Sequence, residues 1–212
     1  MLAFDIFLKS VLIGFCVAVP IGPVGVLVIR RSLTRGWWWA FASGLAAASA
    51  DGLYGYIAAH GLSYTTRLLL HHKSGLEVAG GLLLILLGVQ IFWNQSPKKD
   101  PALAERASLL RDAATAFFLM IINPSTILIF LGLLATLNVT YTTQSGHNTW
   151  VEIVSGVMLG STIWWLLLSA GAQTFKARLT GEALRKVDRV AGTLVTIFGL
   201  IRLVHGLMHW RG

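Results

Sequence analysis

Charge is scarce in this sequence of 212 residues: 12% are Asp, Glu, Lys or Arg, while 55% are hydrophobic. An ordinary soluble domain carries about a quarter charged residues, so a water-soluble fold is not expected. Cysteine occurs once, as Cys16 inside an apolar run. No internal disulfide framework can form, and the thiol reads as a small packing side chain. The stretch from Met1 to Lys9 contains an acid, Asp5, and lacks the small-residue cleavage pattern of a signal peptide; the first apolar segment is expected to stay attached. The apolar segments show neither a nucleophile beside a base nor a cluster of metal ligands, which argues against an enzyme. No catalytic residue, metal site or cofactor is expected. The net charge of +8 could suggest nucleic acid, but the basic residues fall between apolar runs rather than on one amphipathic face, so no nucleic-acid partner is expected.

What the sequence does have is long apolar runs. A bilayer core of about 30 Å takes roughly 20 apolar residues per helix. Six runs qualify, and they leave no room for a separate soluble domain. Ser10 to Ile29 makes span one, and Gly36 to Thr66, interrupted only by Asp51, makes span two. Val78 to Pro97 makes span three, and the uncharged run Ala113 to Val151 holds span four with a polar outer loop. Ile153 to Phe175 makes span five, and roughly Val187 to Met208, with Arg202 near its end, makes span six.

The basic residues orient these spans. One side receives Arg30, Arg31, Arg35, Lys98, Lys99, Arg106, Arg111, Lys176, Arg178, Arg185, Lys186 and Arg189, twelve in all; the other receives Lys9, Arg67, Lys73, Arg202 and Arg211, five in all. Cytoplasmic loops carry the excess, so both termini are expected outside the cytoplasm. Trp37, Trp38 and Trp39 then fall at the cytoplasmic entrance of span two, where an aromatic belt anchors a helix. His205 and His209, four apart on one helix face, have a spacing that can ligate a metal, but they and the pair His71 and His72 fall at the outer surface, where solvation or anchoring is the expected reading.

The two halves resemble each other. Val78-Ala79-Gly80 in span three returns as Val190-Ala191-Gly192 in span six, and glycines recur at seven-residue intervals in both, at Gly81 and Gly88 and at Gly192, Gly199 and Gly206. The spacing keeps one helical face small, for packing within the chain or for a homodimer. Span one is interrupted by Pro20-Ile21-Gly22-Pro23-Val24-Gly25 and span four by Asn123-Pro124-Ser125-Thr126. Each half has three spans, an odd number, so the second must lie inverted relative to the first. The expected fold is an all-α membrane protein with six transmembrane helices as two inverted three-helix repeats, with broken first and fourth helices. The repeats are residues 1–95 and 113–212, joined by a cytoplasmic loop, 96–112.

Broken helices free polar backbone groups at mid-membrane depth, where they are tolerated only when buried in protein or facing an aqueous cavity. Pro23 and Pro124 are each placed as the first residue of a new half-helix, whose exposed N–H groups suit an anionic carboxylate. Glycines at 22 and 25 would let a ligand approach the backbone. The alternative is that the prolines merely kink packed helices. Asp51, an acid deep in a span, is costly to bury; it could bind a substrate ammonium, carry a coupling proton or cap a broken helix. Asn123 can donate and accept at once, toward an amino acid or toward freed carbonyls of its own helix. Pro20, Gly22, Pro23, Gly25, Asp51, Asn123, Pro124 and Ser125 are the candidate substrate-binding residues, with Thr126, Ser49, Ser161 and Thr162 at similar depth. Arg30 and Arg31, below the first break, suit either an inside-positive signal or a gate.

The run Ala18-Val19-Pro20-Ile21-Gly22-Pro23-Val24-Gly25-Val26-Leu27, followed by Ile29-Arg30-Arg31-Ser32-Leu33, resembles the first helix of lysine exporter (LysE/RhtB) family translocators. Ala50-Asp51-Gly52-Leu53-Tyr54-Gly55 is similar to that family's second-helix motif, Ile122-Asn123-Pro124-Ser125-Thr126-Ile127 to its fourth, and Leu159-Gly160-Ser161-Thr162-Ile163-Trp164-Trp165 to its fifth. The resemblance implies a proton-driven amino-acid exporter of the bacterial inner membrane. The sequence departs from the pattern at Ser125, where many members carry a lysine. With Asp51 as the buried anion, a doubly cationic substrate lacks charge compensation, which favours a neutral or monobasic amino acid. The alternative is a metal or other ion exporter on the same scaffold. Such a path wants several carboxylates, thiolates or imidazoles at one depth, and the spans supply one Asp and one Cys on different helices. A purely structural protein would leave both breaks and Asp51 unexplained.

Overall fold

The computed structural model describes residues 2–20, 22–59, 73–93, 102–122, 126, 129–130, 149–176 and 181–209. Among these residues the regular elements are all helices: α1 (Leu2–Ala18), α2 (Pro23–Thr34), α3 (Trp37–Ala59), α4 (Lys73–Trp93), α5 (Ala102–Ile121), α6 (Thr149–Lys176) and α7 (Gly181–Met208).

Three of them are long and apolar enough to cross a membrane: Ser74–Trp93, Thr149–Phe175 and Arg185–Met208. They coincide with expected spans three, five and six. The pair α1 and α2 qualifies together as a fourth, bent by 81°. Helix α3 has 23 residues, long enough to cross, but Trp, Gly, Ser and Tyr dilute its apolar content. Helix α5 begins at Ala102, so the expected connector 96–112 is helical over its second half; the alanines and leucines of Ala102–Leu110 are strong helix formers. Much of the run between α5 and α6, including Asn123, Pro124 and Ser125, lies outside the described residues. Large apolar side chains such as Leu86 and Trp93 on α4 and Ile201 and Met208 on α7 stand exposed on the outer faces, as a lipid-facing surface requires.

Small residues decide which helices meet. A Cβ on Gly81 would lie 2.8 Å from the Gly199 carbonyl oxygen, and one on Gly192 would lie 2.8 Å from that of Gly88. Helices α4 and α7 therefore touch backbone to backbone, antiparallel, through both glycine rows. Those rows are used within one chain, which removes them as a surface for a homodimer. Helices α1 and α6 meet in the same way but parallel, with Gly14 against the Val157 carbonyl, Gly156 against the backbone of Phe7 and Gly160 against that of Val11 and Phe15. Without a hydrophobic force between helices in lipid, such close approach supplies the packing energy. Helix α3 packs on α5 and α6, and α2 fills the space between α3, α6 and α7.

Gly36 closes α2. Its N–H and that of Arg35 both donate to the Arg31 carbonyl, at 3.0 and 2.8 Å. Its φ of 116° lies in the left-handed region that glycine accepts without a Cβ clash. The chain reverses there into α3, where Trp37 stacks on Phe41 and the Arg35 guanidinium lies 5.1 Å from the Trp39 ring centre.

Candidate functional site

The break between α1 and α2 is built by the residues expected to build it. Gly22 is extended, with φ −99° and ψ −166°, and caps a helix whose first residue is Pro23. Proline is suited to that place because the first turn has no intrahelical acceptor for its N–H groups. A cavity of about 300 Å³ opens against this turn, lined by Pro20, Gly22, Pro23 and Gly25 among others. The four candidate residues of the first break thus share one cavity. Thr126, the last residue of the expected second break, lines it as well, while Asn123, Pro124 and Ser125 lie outside the described residues. The size falls at the lower end of the range for small-molecule sites.

Asp51 is fully buried and is not among the residues lining this cavity. Its Oδ2 accepts from the Ser161 hydroxyl at 2.5 Å, and Ser161 in turn accepts from the Trp165 indole N–H at 3.1 Å. Trp165 does line the cavity. A chain of two hydrogen bonds from α6 therefore links the cavity wall to the carboxyl. The other oxygen, Oδ1, has no hydrogen-bond partner, which is costly for a buried polar atom. Ser49, by contrast, bonds back to its own helix at Leu45, as membrane hydroxyls commonly do.

The last carbonyls of α5 are served by Tyr54, one turn beyond Asp51. Its hydroxyl donates to the Ile121 carbonyl at 2.6 Å, with the Met120 carbonyl at 3.4 Å. Pro124, four residues after Met120, has no N–H to offer that carbonyl. The tyrosine thus bonds the Ile121 carbonyl and stands within reach of that of Met120, the one the proline cannot serve.

The arginines below the first break form a knot. Arg30 pairs with Asp188 of α7 at 2.7 Å. Arg35 pairs with Asp112 of α5 at 2.6 Å, and Arg31 with the same carboxylate at 3.4 Å. Arg31 also donates to the Asp112 carbonyl at 3.0 Å, and the Ser32 hydroxyl donates to the Ser169 carbonyl at 2.7 Å. One end of α2 is thereby tied to α5, α6 and α7. A second cavity, about 440 Å³, adjoins the knot and is lined by Arg30, Arg31, Arg35, Arg111 and Asp112 among others.

Sequence reasoning missed Glu77. It is 3% exposed and accepts from Arg202 at 3.4 Å and pairs with His205 Nδ1 at 2.6 Å. Glu77 and Arg202 both line the cavity at the first break. The glycine register could have revealed the pair, because antiparallel contact of Gly81 with Gly199 sets Glu77 beside Arg202. His209 stacks on His205, with ring centres 4.3 Å apart. Among the described residues, no three of His, Cys, Asp and Glu converge as a metal site would require.

The sequence pattern of the LysE type translocators matches residues 15–206. The chain belongs to this family. It is 29% identical over 197 residues to "Putative amino acid efflux protein YcgF" of Bacillus subtilis (strain 168), covering 92% of this chain and 93% of that protein. It is 24% identical over 170 residues to "Putative amino-acid transporter YisU" of the same organism, covering 80% of this chain and 75% of that protein. No solved structure matches it. As a LysE type translocator with several apolar membrane-length helices, the chain is a multi-pass membrane protein.

Proposed function

We propose that this translocator exports amino acids from the cytoplasm as a secondary transporter driven by the proton gradient, in the inner membrane of a bacterium. The observation that carries the reading is the cavity at the first break. The N-terminus of α2 and its two glycines border a largely apolar chamber, where unpaired N–H groups and the helix dipole favour a carboxylate. The names of both relatives, an amino acid efflux protein and an amino-acid transporter, agree with such a ligand.

The chain is six spans in two inverted repeats. Exchange span one with four, two with five and three with six: the contact of α4 with α7 maps on itself, as does that of α3 with α6. The contact of α1 with α6 maps on that of α3 with α5, and all four contacts occur. In such repeats, paired broken helices border the substrate site, so Asn123, Pro124 and Ser125 are substrate-binding residues together with Pro20, Gly22, Pro23 and Gly25.

Asp51 carries the coupling proton. It is buried away from the cavity wall yet connected to it through Ser161 and Trp165, so substrate at Trp165 can alter its surroundings. Arg30 and Arg31 form the cytoplasmic gate. Their ion pairs with Asp188 and Asp112 hold the cytoplasmic end of α2 shut and must open for substrate to enter.

Counterflow into proteoliposomes tests the reading, with a panel of labelled amino acids and Cd2+ as the probes. Counterflow of an amino acid by the native protein, with gradient-driven transport lost in Asp51→Asn, is expected. Uptake of metal but of no amino acid would overturn it.

A further inference from the structure

We propose that Glu77 and Arg202 are the two charged poles of this cavity, and that its ligand is a zwitterionic amino acid with an uncharged, apolar side chain. The inference rests on the export reading above and names the substrate class of the same site.

Glu77 is the sole carboxylate and Arg202 the sole cation among the described residues that line the cavity. The remainder of the wall is almost wholly apolar, with Leu84, Leu119, Met120, Ile129, Trp165 and Phe198 prominent. A second ionised group on a ligand side chain would find no partner there and would lose its hydration. An apolar side chain would instead exchange water for these surfaces.

The geometry of the pair fits insertion of a zwitterion. Arg202 Nη1 stands 3.4 Å from Glu77 Oε1, at the outer limit for a hydrogen bond, and a ligand ammonium can replace the guanidinium at that oxygen without leaving the carboxylate unpaired. The ligand ammonium then takes Oε1 of Glu77, and its carboxylate lies between Arg202 and the N–H groups at the start of α2. Both are charge-assisted contacts, the stronger kind. His205 holds the other oxygen, Oε2, at 2.6 Å. It fixes the carboxylate from one turn further along α7 and acts as a positioning residue.

Two ligand-side probes test this on the native protein. N-acetylleucine lacks the ammonium, and leucinamide lacks the carboxylate. In proteoliposome counterflow of labelled leucine, unlabelled leucine and phenylalanine should compete, while lysine, glutamate and both analogues should compete at least about tenfold more weakly, as lost charged contacts imply. Glu77→Gln should weaken leucine while narrowing the gap between leucine and N-acetylleucine. Arg202→Gln should narrow the gap between leucine and leucinamide. A variant that has merely misfolded would lose all competitors in proportion, and the native-protein arms stand without it. Equal competition by leucine and both analogues on the native protein would overturn the poles. Lysine or glutamate preferred over leucine would overturn the substrate class while leaving amino-acid export standing. Transport of no amino acid at all would overturn both readings.

Discussion

The Tyr54 hydroxyl reaches from α3 to donate to the Ile121 carbonyl at 2.6 Å. It serves the last carbonyls of α5, which ends at Ile121, three residues before Pro124 in the sequence. Tyr54→Phe removes the donor, keeps the ring against Phe130 and takes this bond from a half-buried acceptor. Such a loss costs about 1 to 3 kcal/mol. Thermal unfolding of the purified variant in detergent should show a lowered midpoint, and an unchanged midpoint would show that the carbonyls find other partners.

Asp51→Asn preserves the shape of the side chain and an oxygen that can accept from Ser161, but it cannot bind and release a proton. The variant should insert, fold and catalyse exchange of substrate across the membrane, while accumulation driven by an imposed pH gradient falls to background. Ser161→Ala should weaken the same coupling without removing it. Full gradient-driven transport by Asp51→Asn would take this residue out of the mechanism.

The glycine rows supply a packing prediction with an internal control. A Cβ on Gly88 would sit 2.7 Å from the Gly192 carbonyl oxygen and 2.6 Å from the Thr196 nitrogen, both backbone atoms of α7. Gly88→Val must push the helices apart, and overpacking of this kind costs about 1 to 3 kcal/mol or more. Gly171 in α6 has nothing within 4 Å of the corresponding position. Gly171→Ala should be no less stable than the native protein, since alanine favours the helix. The two variants, compared by thermal melting, separate close approach from a general need for glycine.

The legible parts of this fold are those written locally. Membrane spans three, five and six follow from apolar length alone, and the first break follows from Gly22 and Pro23, whose backbone constraints act wherever they stand. The pairing of α4 with α7 was foreshadowed by glycines at matching intervals, because small residues mark a close face. Which of two uses that face served, inside one chain or between chains, is a question of the partner and was not written in the spacing. The link from Asp51 through Ser161 to Trp165 joins residues 110 positions apart at its first step, and nothing local announces it. Glu77 was overlooked because it stands at the end of its span, where a charged residue ordinarily means solvent. Only its register against α7 places it in a cavity.

The ion pair between Arg30 and Asp188 makes a prediction about the gate. Arg30→Ala leaves Asp188, 3% exposed, without this counter-charge. Removing one partner of a buried pair costs about 3 to 5 kcal/mol. Arg30→Ala should therefore be less stable, and the double variant Arg30→Ala, Asp188→Asn should recover part of the loss because the buried charge is removed with its counter-charge. If the pair is a gate, the stabilised double variant should also leak substrate down its gradient faster than the native protein. A native leak rate in that variant would mean that the pair only holds the helices together.

The distribution of basic residues predicts both termini outside the cytoplasm, since the loops carrying twelve of the seventeen Lys and Arg residues then face inward. The helices agree on relative direction. Helices α1 and α6 run parallel and α4 and α7 antiparallel, as spans one and five and spans three and six of a six-span chain must. A phosphatase fused after Gly212, active only outside the cytoplasm, should be active, and a fluorescent reporter that matures only inside should be dark. Cysteines placed near Arg35 and Lys176 should react with an impermeant thiol reagent only after the membrane is opened. The reverse pattern would turn the whole assembly over: the arginine knot would then face outward and could not serve as the entrance for an exported solute.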